Sequence, residues 1–243
     1  MLPTLTKRVE EGIDLPVLVW DLGTDHPMIS SGPLGGGLGP RRWVINASVP
    51  MSYSRTDPDA DLAGIAADLG LGGPGVGLMT GVDVADRVSV TDDGAVATVT
   101  VGVGAPALAA APDGDLRRFR PGTINIVVRV PVRLSDAALV NAATTATEAK
   151  TQALADLGFD ATGTASDAIC VICAPDGPAE AYGGPRSTWG ARIARAVHAA
   201  VRDGGREWRE HGQSWSDRHP NGGIPVQPGS GDLDDERAVP SAR

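Results

Sequence analysis

The run Thr123-Ile124-Asn125-Ile126-Val127-Val128-Arg129-Val130-Pro131 has a fainter counterpart earlier in the chain, Trp43-Val44-Ile45-Asn46-Ala47-Ser48-Val49-Pro50. Each places Ile-Asn inside an apolar, β-branched stretch that stops at a proline, the pattern of a buried strand. Each then leads into a helix. The first is expected over 58–69, with Asp57 as N-cap. The second is expected over 136–157, capped by Ser135, stapled by Leu134 and Leu139 and closed by Gly158. Behind each helix comes Thr-Gly and then an Asp-led strand, Thr80-Gly81 to Asp86 and Thr162-Gly163 to Asp167. The offsets are 79 positions for Asn46 and Asn125, 82 for Thr80 and Thr162, and 81 for Asp86 and Asp167. So constant a spacing reads as a duplicated strand–helix–strand unit, about 41–104 and 121–175.

Working outward, a strand over 95–103 follows a turn at Asp92-Asp93-Gly94. A third helix follows Gly183-Gly184-Pro185-Arg186, with Ser187 or Thr188 as its cap. Ile193, Val197 and Val201 form its apolar stripe, and Gly204-Gly205 is expected to end it. Strands alternating with helices in two similar halves give the α+β class: a layered α/β fold with a mixed sheet and packed helices. Residues 1–204 read as a single domain. Residues 205–243 read as a polar tail, docked in part through Trp208 and Trp215 and disordered from about Gly229.

The chain has 243 residues, 42% of them hydrophobic, enough for a sizeable core. Its net charge of −9 argues against a nucleic-acid partner, which needs a positive surface. No apolar run is long enough to span a membrane, and Met1-Leu2-Pro3-Thr4 does not begin a secretory signal, so the cytoplasm is the expected location. Acidic residues are 23 Asp against 7 Glu, and lysine is nearly absent. That usage fits a hydrated, salt-adapted surface whose self-repulsion salt screens; a GC-rich genome biases composition the same way. The two cysteines, Cys170 and Cys173, lie in a strand-like run where their sulfurs would face opposite ways, so they are expected as buried core thiols. The four histidines form no metal-binding pattern, and no metal is expected.

Only two lysines occur, Lys7 and Lys150. Arginine stays charged, whereas a buried lysine can give up its proton. Lys150 therefore stands out in Thr147-Glu148-Ala149-Lys150-Thr151. On that helix Asn141, Thr145, Glu148 and Gln152 share a face, and Lys150 lies on another, so Glu148 and Lys150 should not pair. Spacing alone leaves two readings: a solvated face, or a polar cavity with Glu148 as acid/base and Lys150 as base or electrostatic anchor. The glycine-rich stretches 32–39 and 70–77 read as flexible loops or as backbone that approaches a ligand; neither matches a phosphate-binding pattern. Ser187 and Thr188 open a helix, so a capping role competes with a nucleophilic one. His198 reads as an ordinary helix histidine.

Taken in order, Gly122-Thr123-Ile124-Asn125-Ile126, Glu148-Ala149-Lys150-Thr151-Gln152-Ala153, Gly163-Thr164-Ala165-Ser166-Asp167-Ala168 and Gly184-Pro185-Arg186-Ser187-Thr188-Trp189-Gly190 resemble the adenosylcobinamide amidohydrolase family. Arg42 to Pro50 adds to the resemblance, which runs from about residue 30 to 203. It implies corrinoid salvage: hydrolysis of the amide between the aminopropanol arm and the ring, giving adenosylcobyric acid and 1-amino-2-propanol, in an archaeal or bacterial setting. The corrinoid is then substrate, adenosylcobinamide, and no other cofactor is expected. Amide hydrolysis needs a nucleophile, a held oxyanion and a protonated leaving amine. The expected catalytic residues are Glu148, Lys150, Asp167 and Ser187. Glu148 or Asp167 would activate water, N–H groups near Ser187 and Asn125 would hold the oxyanion, and Lys150 would complete the charge network or protonate the amine. Direct attack by Ser187, Thr188 or Thr123, with Lys150 as base, is the alternative. Asn46, Ser48, Thr123, Asn125, Thr164, Arg186, Thr188 and Trp189 are expected against substrate, with Trp43 or Trp189 facing the corrin. A non-catalytic corrinoid binder and a generic amidase are the competing readings. Oligomeric state is left open, a homo-oligomer among the options.

Overall fold

In strand β8 (Ile124–Arg129) side chains alternate as a strand demands: Ile124, Ile126 and Val128 pack against helices, while Asn125 and Val127 turn to the opposite face. Strand β3 (Gly37–Ser48) alternates likewise, with Trp43, Ile45 and Ala47 on one side and Val44 on the other. A computed structural model describes residues 1–10, 12–112 and 122–220. The expected disorder from about Gly229 falls outside the described residues.

The two strand–helix–strand units are present. In the first, β3, helix α1 (Pro58–Asp68) and strand β4 (Gly75–Thr80) place β4 parallel to β3. In the second, β8, helix α2 (Asp136–Asp156) and strand β10 (Ala168–Ile172) place β10 parallel to β8. Ser135 caps α2 through the Ala138 N–H, and Gly158 closes it at φ 76°. Asp57 precedes α1 without a side-chain cap bond, so Pro58 starts that helix. The Thr-Gly and Asp landmarks do not correspond in space. Thr80 ends the second strand of its unit and Gly81 follows it, whereas Thr162-Gly163 precedes β10. Asp86 lies in a 3-10 turn (Val84–Asp86) and pairs with Arg218.

Strand β2 (Ile13–Ser30) joins the units. It pairs antiparallel with β3 along both halves, with strand β1 (Thr4–Glu10) at its start and with β10 at its end. Beyond β8 come strands β6 (Ala95–Val101) and β5 (Val88–Asp92), joined by the expected turn, with Asp93 at φ 42° and Gly94 at φ 93°. The mixed sheet runs β4-β3-β2-β10-β8-β6-β5. A two-stranded piece, β7 (Pro106–Ala107) with β9 (Gly163–Thr164), lies off it. The sheet curls on itself. Leu18, Val44, Val76 and Leu78 meet Val127, Cys170 and Ile172 across the inside of the curl. Helix α1 covers the outer face on the first unit. Helices α2 and α3 (Thr188–His211) cover it on the second.

Three features correct or decide expectations. Helix α3 runs through Gly204-Gly205 to His211, because both glycines are contact points: a Cβ would come within 2.7 Å of Val101 at Gly204 and 2.6 Å of Leu157 at Gly205. Close packing offsets the helix-propensity cost of glycine there. The glycine-rich stretches pack on each other rather than on open space: a Cβ on Gly35 would strike the Gly75 carbonyl oxygen at 1.9 Å. Cys170 and Cys173 are free, buried and on opposite faces, one in the inner core and the other against the helices. A short helix, α4 (Trp215–Arg218), closes the described chain.

Candidate active site

At the N-terminal ends of β8 and β10, four of the family-like segments converge. Lys150, 14 residues into α2, is buried, and its Nζ lies 2.5 Å from Asp167 Oδ2; the two side chains are 8% and 9% exposed. Asp167 sits in the turn just ahead of β10. Its Oδ1 accepts from the Ile124 N–H at 2.9 Å and the Thr164 hydroxyl at 2.5 Å. Its Oδ2 accepts from the Thr164 N–H at 3.0 Å as well as from Lys150. Four donors occupy this carboxylate, so it acts as a hub that locks α2, β8 and β9 together, not as an open acceptor for a water proton. Gly163 makes the pair possible: a Cβ there would lie 2.3 Å from Asp167 Oδ2 and 2.5 Å from Lys150 Nζ.

Beside the hub, the Thr123 and Ser166 hydroxyls are 2.7 Å apart, with Thr123 buried and Ser166 exposed. Two residues further along the chain from Thr123, the Asn125 amide donates to Asn46 Oδ1 at 2.9 Å and to the Met79 carbonyl at 3.0 Å. Asn46 in turn donates to Thr100 at 3.1 Å. The repeated asparagines therefore touch, and with Met79 they tie the C-terminal ends of β3 and β4 to the N-terminal end of β8. Asn125 Oδ1 is buried with no partner among the described residues.

Other expected residues fall elsewhere. Ser48 is fully buried; its hydroxyl donates to Val82 O at 2.8 Å and accepts from the Val84 N–H at 3.0 Å, so it braces the first unit's exit turn. Glu148 is exposed, with no ion pair to a described residue, and does not pair with Lys150, as the helix geometry required; Lys150 pairs with Asp167. Ser187 caps α3: its hydroxyl donates to Gly184 O at 2.8 Å and accepts from the Gly190 N–H at 3.1 Å. Trp189 packs near Gly94 and Pro131, past the C-terminal end of β8, with the Arg192 guanidinium 4.5 Å from its ring centre. That end is roughly 17 Å from Asp167 at about 3.3 Å per strand residue. Arg186 and Thr188 are exposed beside Ser187. The Gly184–Gly190 segment thus serves the start of α3, at the opposite end of the strands from Asp167. Trp43 lies on the outer face against α1, with its ring over Gly75. His198 meets Asp156 at 2.7 Å on the helix surface.

Sequence reading missed Ser166, Thr100 and Gly163. Ser166 and Gly163 stand inside a quoted motif and were legible as neighbours of Asp167. Thr100 carries no local signal, because only the sheet's curl brings β6 to Asn46. Among the described residues no helix is long and apolar enough to cross a membrane.

Comparison with known proteins places the chain. A solved structure, the PH0078 protein from Pyrococcus horikoshii OT3, covers 84% of this chain and 83% of its own at TM-score 0.47 and 10% identity, too slight a likeness to argue from. A curated protein named adenosylcobinamide amidohydrolase from Methanosarcina mazei is 31% identical over 74% of this chain and 90% of its own length. Another of the same name from Halobacterium salinarum is 40% identical over 51% of this chain and 56% of its own length. The family model described as adenosylcobinamide amidohydrolase matches residues 2–213, and the chain belongs to that family of amidohydrolase enzymes.

Proposed function

We propose that the chain hydrolyses the aminopropanol amide of adenosylcobinamide, releasing adenosylcobyric acid and 1-amino-2-propanol, at the N-terminal ends of β8 and β10. The observation that carries this placement is the buried Lys150–Asp167 pair, set beside the Thr123–Ser166 hydroxyls where the family-like segments converge. In this reading water adds its hydroxyl to the amide carbonyl, the C–N bond breaks as the amine takes up a proton, and the proton left by the water goes to that amine directly or restores Lys150. Lys150 supplies positive charge for the oxyanion or the proton for the amine. Asp167 holds Lys150 and the Ile124 and Thr164 amides in register. Thr164 faces the substrate side, and Asn125, held by Asn46, backs it from within the sheet. Glu148 and Ser187 are left without a chemical step, and Arg186, Thr188 and Trp189 support α3. The close hydroxyl pair favours one second reading, attack by Thr123 itself through an acyl intermediate.

The Asp-rich, Lys-poor composition supports a salt-adapted enzyme, and a cytoplasmic location is part of the same reading. The acidic surface speaks against nucleic acid. No cofactor beyond the corrinoid is invoked, and a homo-oligomer is compatible with this reading.

Mass spectrometry of adenosylcobinamide after incubation tests the proposal. Loss of the aminopropanol mass is expected, and an unchanged corrinoid that stays bound would make the chain a binder instead. Equal cleavage of simple amides would make it a generic amidase. A covalent corrinoid–protein adduct would move the reading to Thr123 attack.

A further inference from the structure

The family match stops at residue 213, and the next six residues form a strap over the first unit. Ser214 and Asp217 cap α4 reciprocally. The Ser214 hydroxyl accepts from the Asp217 N–H at 3.1 Å, and Asp217 Oδ2 accepts from the Ser214 N–H at 2.8 Å. Trp215 is 2% exposed, stacks on His219 at 4.5 Å between ring centres, and donates its backbone N–H to Gly81 O at 2.9 Å. The Met51 N–H donates to the Ser216 hydroxyl at 2.8 Å, and Arg218 pairs with Asp86. Three separate pieces of the first unit are therefore tied together: the loop after β3, the exit of β4 and the 3-10 turn.

Gly81 is where this strap meets the candidate site. Two residues before it, the Met79 carbonyl accepts the Asn125 amide. One residue after it, Val82 packs against Gly102, where a Cβ would lie 3.1 Å from Val82 and 3.4 Å from the Thr123 nitrogen. The Gly102 N–H donates to the Thr123 carbonyl at 3.0 Å. A continuous path runs from Trp215 through Gly81, Val82 and Gly102 to Thr123.

We propose that Trp215 is a positioning residue for the reaction, holding the Gly81–Val82 turn as the wall against which Thr123 is set. The inference rests on the functional reading above. Among the described residues the strap's bond to Gly81 leads to Thr123 by way of that turn, so it acts by placement. A small misplacement of a site wall can lower turnover strongly.

The test compares Trp215→Ala, Trp215→Phe and Ser216→Ala in the full chain, assayed with adenosylcobinamide well below each melting temperature. Trp215→Ala is expected to lower kcat/KM about tenfold, and Trp215→Phe to recover it to within about threefold. Amide exchange should quicken at Gly102 and Ile124, next to Thr123, as well as at Trp215. Kinetic constants within about twofold of the parent, with faster exchange confined to 81–82 and 214–219, would overturn the proposal. If Trp215→Ala does not fold, Ser216→Ala carries the same two readouts. If the parent chain leaves adenosylcobinamide intact, the functional reading falls, and exchange at Gly102 and Ile124 alone decides the strap.

Discussion

The two strand–helix–strand units turn their asparagines toward each other but use the surrounding space differently. The first crosses over on 11 helical residues, and its inward polar groups, Asn46, Ser48 and Thr80, are committed to hydrogen bonds within the protein. The second crosses over on 21 helical residues, long enough to carry Lys150 back to the start of its own strands, where it meets Asp167. A helix rises about 1.5 Å per residue, so the extra ten residues add roughly 15 Å of reach. The longer helix, more than any motif, is what gives the second unit its buried ion pair.

The sharpest way to break this contrast is at Lys150. Lys150→Ala should lower turnover about a hundredfold or more, since charge for the oxyanion or the leaving amine is lost. It should also cost about 3 kcal/mol of stability by leaving Asp167 buried without its cation. Lys150→Met with Asp167→Asn should regain much of that stability in denaturant melts and none of the turnover. Equal or greater loss of turnover from Asn46→Ala would erase the distinction between the units.

A matched pair of glycine substitutions comes next. Gly163→Ala drives a methyl into the ion pair, and Gly75→Ala drives one into the Trp43 ring, at 2.0 Å from its nearest carbons. Each should cost on the order of 3 kcal/mol in thermal or chemical melts. Only Gly163→Ala should also lower kcat when assayed as folded protein. Smaller again is Ser187→Ala, which removes a helix cap worth about 1 kcal/mol and should leave kcat within about twofold. A collapse of kcat there, with the fold intact, would return the Gly184–Gly190 segment to the chemistry.

The last effect vanishes at neutral pH. Burial pushes the Cys170 thiol on β10 up to about 12. Burial first, then the neighbouring Asp61 carboxylate, pushes the Tyr53 phenol after β3 up to about 12 as well. Both groups release their protons more readily when unfolded, so the folded state gains nothing from either in alkali. The stability they support is whole below the unfolded values, about 8.5 for a thiol and 10 for a phenol, and falls as pH rises toward 12. Urea melts across this range should show an earlier decline abolished by Cys170→Ala and a later one abolished by Tyr53→Phe. A single decline untouched by either would show that neither group governs alkaline unfolding.

What the chain revealed in advance was local. Alternation around Ile-Asn, the Ser135 and Ser187 caps, the Asp93-Gly94 turn and the Ile193–Val201 stripe each depend on a few neighbouring residues, so their chemistry is written in order. The scarcity of lysine singled out Lys150, and helix geometry forbade its pairing with Glu148. What stayed hidden depends on residues far apart. Gly204 is a contact point only because Val101 arrives beneath it. The Thr-Gly landmarks are equally spaced yet fall on opposite sides of their strands. Ser187 stands in a family-like motif, but α3 begins at the other end of the strands from Lys150. Nothing local to either stretch records how the sheet curls.

Strand β2 has a consequence for how the molecule comes into being. Its end, Met28–Ser30, pairs with β10, and Cys170 faces Met28 across 142 positions of sequence. During synthesis from the N-terminus, β3 can zip onto one side of β2 early, but the other side of that end has no partner until most of the chain has emerged. Such long-range closure slows folding, because loop entropy must be overcome before the pairing rewards it. In the interval an apolar strand edge lies open, the usual seed of aggregation, so this protein's vulnerable moment is the wait for its last strand.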